Sequence, residues 1–259
     1  MPDHKVILIT GANTGLGLEI VKSLCRSATG YDILIGCRDP SKGEAAIHDV
    51  KQQYPSISST LSTIQIDLAS DHSLEQAIHS ISTQYGRLDI LVNNGGAAYD
   101  KEIQSGTVSI RDGFNKSWDT NVSGTHVLTT HAIPLLLKSA DPRLIFMTSG
   151  TSTLTETESS ANEMLKRINA SPPKGWPKET VMNPVTAYRS SKTGLNMLMR
   201  EWTRILKNDG VRVWCVSPGF LATGLNASEP EQLKKVRICC IKTIVSTRLT
   251  SVRWGLWTQ

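Results

Sequence analysis

The sequence lacks the patterns that mark metal-binding, secreted and membrane-spanning proteins. Its five cysteines have no metal-type spacing, and its six histidines form no H-E-x-x-H or comparable pattern, so no metal site is expected. It contains no run of about 18 apolar residues, and the apolar run 6–9 is too short for the core of a signal peptide. We therefore expect a soluble cytoplasmic protein with reduced thiols and no membrane partner.

The excess of positive charge is small and local. The net charge is +5, and from Glu229 onward there are six basic residues against two acidic ones. No array of aromatic and basic residues accompanies this charge, so we expect a solvated basic tail and no nucleic-acid partner.

Short apolar runs alternate with longer segments of helical periodicity. The predicted strands are Lys5–Thr10, Asp32–Cys37, Leu61–Ile66, Asp89–Asn93, Leu144–Thr148 and Val211–Val216. The predicted helices lie at about 15–28, 41–54, 71–85, 111–138 and 185–208. This alternation predicts an α/β fold of the Rossmann type, with a doubly wound parallel sheet that binds ligands beyond the carboxyl ends of its strands.

Two segments depart from this alternation. Residues 151–186 are rich in Ser, Thr, Glu and Pro with a helical piece at about 161–168, and they are too long for an ordinary connection. No clear strand follows Asn226. We predict a single domain over 1–259, with its core at 5–225, an insertion at 151–186 and an atypical, short tail at 226–259.

Three glycines follow the first strand and precede the first helix. Gly11, Gly15 and Gly17 would let the backbone approach a pyrophosphate, while the helix N-terminus supplies free N–H groups and a partial positive charge. The remaining candidates in this turn are Asn13, Thr14 and Leu16. The spacing is G-x-x-x-G-x-G, not G-x-G-x-x-G, and a structural turn without a ligand is the alternative.

The end of the second strand bears on the choice of cofactor. Cys37 stands where an acidic residue would select NAD, and Arg38 next to it suits a 2′-phosphate. NADPH is therefore favoured over NADH, although Asp39 and the non-basic Thr14 count against it. The alternative for Arg38 is a surface residue paired with Asp39.

Tyr188 and Lys192 lie four positions apart, on one face of a predicted helix. Such a pair arises readily by chance, and a solvated helical pair worth about 0.2 to 0.5 kcal/mol is the alternative. The pair gains meaning from the motifs that precede it in a fixed order.

Together these motifs resemble the short-chain dehydrogenase/reductase family in its single-domain form, from Val6 to about Thr223. They are Thr10-Gly11 through Gly17, Asp67-Leu68, Asn93-Asn94-Gly95-Gly96, Asn121, Ser149, Tyr188 to Lys192, and Pro218-Gly219 with Thr223. The resemblance implies an NADPH-dependent oxidoreductase that interconverts a small-molecule carbonyl substrate and its alcohol.

The resemblance also implies two groups of site residues. The cofactor would be lined by Asp67, Leu68, Asn94, Gly95, Gly96, Pro218, Gly219 and Thr223, besides the glycine turn, Arg38, Asn121, Tyr188 and Lys192. The catalytic residues would be Asn121, Ser149, Tyr188 and Lys192, with Asn121 holding a water that relays protons to Lys192. The alternatives are a capping or turn role for Asp67, and plain turns for the Asn-Asn-Gly-Gly and Pro-Gly motifs.

The chemistry can also be argued from the residues. Reducing a ketone leaves negative charge on oxygen, which calls for a proton donor, Tyr188, and a hydroxyl that holds the carbonyl, Ser149, with Ser152 in reserve. A free tyrosine has a pKa near 10. A charge on Lys192 at ~4 Å in a dielectric of ~20 is worth about 4 kcal/mol, so we expect it to lower the pKa of Tyr188 by up to roughly three units.

Two departures from the family pattern carry expectations of their own. Ser149 and Tyr188 are 39 positions apart, much farther than in common members. Some carbonyl reductases of the family carry such an insertion, ending near Gly-Trp-Pro as in Gly175-Trp176-Pro177, and are monomers because it covers the dimer face. We predict a monomer, with a homodimer as the alternative. The short tail leaves a second functional hypothesis, a dinucleotide-binding protein with little or no turnover.

Overall fold

Six parallel strands form one sheet in this computed structural model, which describes residues 4–161, 163–178 and 185–218. The strands are β1 (Lys5–Thr10), β2 (Tyr31–Cys37), β3 (Thr60–Gln65), β4 (Ile90–Asn93), β5 (Arg143–Met147) and β6 (Arg212–Val216). Their order is β3-β2-β1-β4-β5-β6, and every pairing is parallel. The order reverses at β1 and β4, and ligands of such sheets bind in the crevice at that point.

Helices cover both faces of the sheet. They are α1 (Gly15–Cys25), α2 (Pro40–Gln53), α3 (Asp71–Tyr85), α4 (Asp100–Gln104), α5 (Ile110–Trp118), α6 (Thr125–Leu136), α7 (Leu154–Thr157), α8 (Glu163–Asn169) and α9 (Thr186–Ile205). Local signals set several ends. The Asp39 side chain accepts a hydrogen bond from the Ser41 N–H at 3.0 Å, with Pro40 as the first residue of α2, and Gly86 ends α3 with φ of 69°.

The core is two apolar layers separated by the sheet. Along β1, Val6 and Leu8 belong to the layer that also contains Leu128 of α6, while Ile7 and Ile9 belong to the opposite layer. All five side chains are at most 2% exposed. Each such side chain contributes about 1.5 to 3 kcal/mol when fully buried, which explains why the strands read as continuous apolar runs.

The predicted α/β fold is confirmed, and every strand boundary lies within one residue of its prediction. The long helix predicted at about 111–138 is confirmed in its span, but its middle, Asp119–Gly124, is a π-helical segment that joins α5 to α6. A Cβ on Gly124 would overlap the carbonyl oxygen of Leu68, so glycine permits close packing here. Apolar periodicity does not distinguish an α-turn from a wider π-turn over so few residues.

The insertion contains two short helices. The helical piece predicted at about 161–168 corresponds to α8, and α7 precedes it. The five-residue α4 was not predicted because it is too short to show a periodicity. The tail predicted at 226–259 lies outside the described residues.

Membrane spans, metal sites and thiols can be assessed from the described residues. None of the described helices is long and apolar enough to cross a bilayer. Within the same residues, no group of three or more His, Cys, Asp or Glu side chains is arranged to hold a metal ion. Cys25, Cys37 and Cys215 are free thiols, and burial raises the pKa of Cys25 and Cys215 to about 11.

Candidate active site

The turn between β1 and α1 requires its glycines. Gly11 and Gly15 have φ of 63° and 55°, in the left-handed region. A Cβ on Gly11 would lie 3.0 Å from the Cα of Gly95, and one on Gly17 would overlap the carbonyl oxygen of Gly11. The other predicted members of the turn are the partly buried Asn13 and Leu16 and the exposed Thr14. The backbone of this turn is therefore open to close approach by a ligand.

The N-terminus of α1 fits an anion. Thr14 precedes the helix but its side chain makes no capping hydrogen bond, and no acidic residue lies in the first turn. The first N–H groups of a helix have no acceptor within the helix and carry a partial positive charge. Together with the glycine turn, this end of α1 fits the pyrophosphate of a dinucleotide.

The loop after β4 is held against the glycine turn. The Thr10 hydroxyl accepts hydrogen bonds from the N–H groups of Asn94, at 3.0 Å, and Gly95, at 2.7 Å. The Asn94 side-chain amide donates to the carbonyls of Thr10, at 2.8 Å, and Gly11, at 3.3 Å. Asn94 thus links the loop after β4 to the end of β1 and the glycine turn.

Arg38, Asp67 and Leu68, which were predicted to line the cofactor, differ from one another in exposure and contacts. Arg38 is exposed and makes no ion pair with any described residue, so it does not pair with Asp39, whose carboxylate caps α2 instead. Asp67 accepts a hydrogen bond from the Ala69 N–H at 3.0 Å, which is a turn contact. Leu68 is 7% exposed, and its side chain packs in the core.

Asn121 joins the loop after β4 to α9. Its side chain is fully buried; the oxygen accepts from the Ala97 N–H at 2.8 Å, and the amide donates to the Ala97 carbonyl at 2.8 Å and to the Ser191 hydroxyl at 2.9 Å. All three of these hydrogen bonds are made with protein groups. The predicted water relay from Asn121 to Lys192 therefore stays a prediction. Gly96 lies alongside, where a Cβ would be 2.8 Å from the Asn121 oxygen and 3.4 Å from Lys192 Nζ.

Ser149, Tyr188 and Lys192 meet beyond the carboxyl end of β5. Lys192 Nζ donates to the Met147 carbonyl at 2.9 Å and lies 5.9 Å from the centre of the Tyr188 ring. The Ser149 hydroxyl acts to lower the pKa of the Tyr188 phenol and lies 2.8 Å from the Thr151 hydroxyl. This juxtaposition of a hydroxyl, a phenol and an ammonium group suits proton donation to a carbonyl oxygen.

Ser152, the reserve candidate, has contacts of its own. It is fully buried, its hydroxyl has no partner among the described residues, and its carbonyl accepts hydrogen bonds from Thr193 and Asn196 on α9. Ser149 stays the predicted hydroxyl next to the reacting oxygen, with Ser152 in reserve.

The expected pKa of Tyr188 is wrong in direction. Burial raises the pKa of Tyr188 to about 12, and the interaction with Ser149 opposes this only in part. Burial likewise lowers the pKa of Lys192 to about 8, with a nearby Cys215 acting in the opposite direction. Desolvation disfavours the charged form of each group and is the largest cause of both changes in pKa.

Three residues at the site have roles that were not predicted. Thr10 was named only as the start of the glycine motif, and its hydroxyl binds the loop after β4. Asp100 accepts hydrogen bonds from the N–H groups of Ala187 and Tyr188, and nothing near it in the sequence indicated this. Arg189 donates to the Thr151 carbonyl at 2.6 Å and to the Asn169 side chain at 3.0 Å, so it joins α9 to the insertion.

The remaining predicted residues lie at the limit of the described chain. Pro218 follows β6 and is partly buried. Gly219 and Thr223 lie outside the described residues.

The sequence profile described as short chain dehydrogenase matches residues 5–161 and 179–234. This chain belongs to the short-chain dehydrogenase family. The match contains the glycine turn, Asn121, Ser149, Tyr188 and Lys192. The stretch that this family profile leaves out, 162–178, falls within the predicted insertion.

Two relatives show how similar other family members are. The chain is 41% identical over 228 residues to short-chain dehydrogenase/reductase tropE of Talaromyces stipitatus, covering 88% of this chain and 82% of the relative. It is 48% identical over 223 residues to short-chain dehydrogenase/reductase eupG of a Phoma species, covering 85% of this chain and 78% of that relative. Both relatives carry the family name alone and name no substrate.

Solved structures of the family share the fold at lower identity. The NADPH-bound carbonyl reductase from chicken fatty liver has a TM-score of 0.70 at 21% identity, covering 87% of this chain and 80% of that one. The 3-oxoacyl-[acyl-carrier protein] reductase from Brucella melitensis in complex with NAD has a TM-score of 0.65 at 20% identity, covering 88% of this chain and 78% of that one. Structures with this fold therefore hold either dinucleotide.

Proposed function

We propose that this short-chain dehydrogenase uses NADPH to reduce a ketone or aldehyde group of a small molecule to an alcohol, with Tyr188 as the proton donor. The observation that carries the proposal is the meeting of Ser149, Tyr188 and Lys192 at the same edge of the sheet as the glycine turn. The bound nicotinamide would supply the hydride for this reaction.

The protein's own groups account for the proton. The hydroxyls of Ser149 and Tyr188 would hold the substrate oxygen, and as negative charge develops there the phenol O–H bond breaks and its proton moves to that oxygen. Charged Lys192, with Nζ 5.9 Å from the ring centre, would stabilise the phenolate left behind. A phenol with a pKa of about 12 holds its proton at neutral pH, as a proton donor for reduction must.

The choice of NADPH depends on Arg38. Its exposed guanidinium follows β2, where the ribose of a bound dinucleotide lies in folds of this kind, and no described acid neutralises it. The carbonyl reductase from chicken fatty liver is itself NADPH-bound, and that supports the same choice. Asp39, by capping α2, leaves the guanidinium available for a phosphate.

Purified protein tests the proposal directly. Oxidation of NADPH and of NADH is followed side by side over a panel of ketones and aldehydes. Tyr188→Phe is expected to lower kcat by roughly 10²- to 10⁴-fold while NADPH still binds. The matched control is Tyr54→Phe, since the Tyr54 hydroxyl contacts Arg26 at the far end of α1. Near-full activity of Tyr188→Phe would contradict the mechanism, and NADPH binding without turnover in wild type would favour the binding-only hypothesis.

We also propose a monomer located in the cytoplasm. The insertion contacts α9 through Arg189, which supports the expected covering of this helix. Trp118 on α5 and Met197 on α9 remain 44% and 56% exposed, and a homodimer that buries them is the alternative. Light scattering across a dilution series separates the two states, and a constant dimer mass would overturn the monomer.

A further inference from the structure

The N-terminus of α9 is capped by a residue far away in the chain. Val185 precedes the helix without a side-chain capping bond, and the first N–H bonded within this turn is that of Arg189, which donates to the Val185 carbonyl. The N–H groups of Ala187 and Tyr188 donate instead to the two carboxylate oxygens of Asp100, at 2.8 and 3.0 Å. Asp100 thus replaces a local N-cap and holds the main chain of Tyr188 itself.

Asp100 is buried at the end of the loop that follows β4. It is 6% exposed, and it begins α4 at the end of the loop that starts with Asn94-Gly95-Gly96. Bonds between backbone N–H groups and a carboxylate are short and roughly twice as strong as neutral ones. A buried carboxylate also needs these donors, because leaving it unpaired is costly. The contact therefore constrains both the loop and the helix.

A second link joins the same two elements. Asn121 holds Ala97 of the loop through both its N–H and its carbonyl, and donates to Ser191 on α9. Asp100 and Asn121 thus fasten the loop to α9 at Ala187, Tyr188 and Ser191. Because the start of this loop is bonded to the glycine turn through Thr10, the proton donor is positioned relative to the cofactor-binding turn.

We infer that Asp100 is a positioning residue for Tyr188, setting the phenol against the turn that binds the cofactor; this rests on the proposed function. A displacement of about 1 Å of a reacting group costs on the order of 10²-fold in rate. Asp100 acts through the main chain of Tyr188, so its loss should reduce kcat more than it weakens NADPH binding.

Three variants test this in the full chain. Asp100→Ala is expected to lower kcat by roughly 10- to 100-fold with KM for NADPH changed by less than about 3-fold. Asp100→Asn should lie between wild type and Asp100→Ala, because its amide oxygen still accepts one of the two N–H bonds. The control is Asp112→Asn, a carboxylate in the exposed first turn of α5 that contacts only Ser109. If Asp100→Ala keeps the kcat of wild type, or matches Asp112→Asn, the inference fails.

Hydrogen exchange supplies a readout that needs no turnover. Peptides covering 186–192 should exchange at least about 10-fold faster in Asp100→Asn than in wild type, while peptides of α6 remain unchanged. Unchanged exchange at 186–192 would overturn the role of Asp100. If wild type reduces no carbonyl compound, the proposed function fails, and the exchange result still decides whether Asp100 holds Tyr188. If Asp100→Ala does not fold, Asp100→Asn carries both measurements.

Discussion

The ammonium nitrogen of Lys192 lies 5.9 Å from the centre of the Tyr188 ring, inside the protein. Burial moves the two pKa values in opposite directions, to about 12 for Tyr188 and about 8 for Lys192. Both changes favour the uncharged form, because neither group is well solvated. The phenol therefore carries its proton at neutral pH, and the pKa of Lys192 lies close to that pH.

The burial of Lys192 predicts a pH-dependent cost in stability. Its pKa is lowered from 10.5 to about 8, so the unfolded chain binds more protons than the folded one between these values. The cost is complete below pH 8 and disappears as the pH rises toward 10.5. We expect Lys192→Met to be more stable than wild type at pH 7 by about 1 to 3 kcal/mol, an advantage that shrinks by pH 10.

Urea unfolding at the two pH values measures this difference. Groups that do not interact with Lys192 titrate alike in both proteins and cancel in the comparison, whereas Cys215 loses a charge that lowers its pKa. Lys138→Met removes an exposed lysine and should show no such pH dependence. A stability difference for Lys192→Met that is constant or grows with pH would contradict the expectation.

Gly11 and Gly106 form a matched pair for testing the glycine turn. Both have positive φ, 63° and 73°, but a Cβ on Gly11 meets Gly95 at 3.0 Å while one on Gly106 meets nothing within 4 Å. Each alanine variant should lose about 1 to 2 kcal/mol from its backbone conformation. Gly11→Ala should in addition displace the loop after β4 and weaken NADPH binding about 10-fold or more.

Fluorescence titration with NADPH and urea unfolding distinguish the two effects. Gly106→Ala should bind NADPH like wild type at a similar loss of stability. Equal binding by both variants would mean that the Gly11–Gly95 approach does not matter for the cofactor.

Arg38 should set the preference for the phosphorylated cofactor. A hydrogen bond to a charged group is worth about 1.5 to 3 kcal/mol, so Arg38→Ala is expected to raise KM for NADPH by roughly 10- to 100-fold and to leave KM for NADH nearly unchanged. The control is Arg26→Ala, because Arg26 lies at the C-terminal end of α1, at the opposite end of that helix from the glycine turn. Steady-state kinetics with both cofactors measures the two KM values. An equal rise in KM for NADH would show that Arg38 does not select the phosphorylated cofactor.

Arg189 should hold the insertion against the active site. Its guanidinium donates to the Thr151 carbonyl at 2.6 Å, the Asn169 side chain at 3.0 Å and the Ile168 carbonyl at 3.4 Å. Arg189→Ala is expected to increase hydrogen exchange of 151–157 and 163–169 by about 10-fold or more, because these acceptors lose a charged donor. The control Arg204→Ala removes an exposed ion pair with Glu201, and peptides of the insertion should not respond to it.

The sequence by itself determined the order of strands and helices and most of the residues at the site. Apolar runs, glycine spacing and the Tyr188-to-Lys192 interval are local, and each follows from periodicity or from the backbone freedom of glycine. The family pattern then assigned Asn121 and Ser149 by their places in the chain.

Only the tertiary structure decided what surrounds those residues. Asp100 and Tyr188 are 88 positions apart, and their hydrogen bond exists because two elements pack together. The pKa of Tyr188 depends on how much water the fold removes from the phenol, and a spacing of four residues contains no information on that. The π-helical segment at Asn121 likewise depends on the close packing of Gly124 against Leu68. Burial and long-range hydrogen bonding are properties of the packed chain, so no local pattern could predict them.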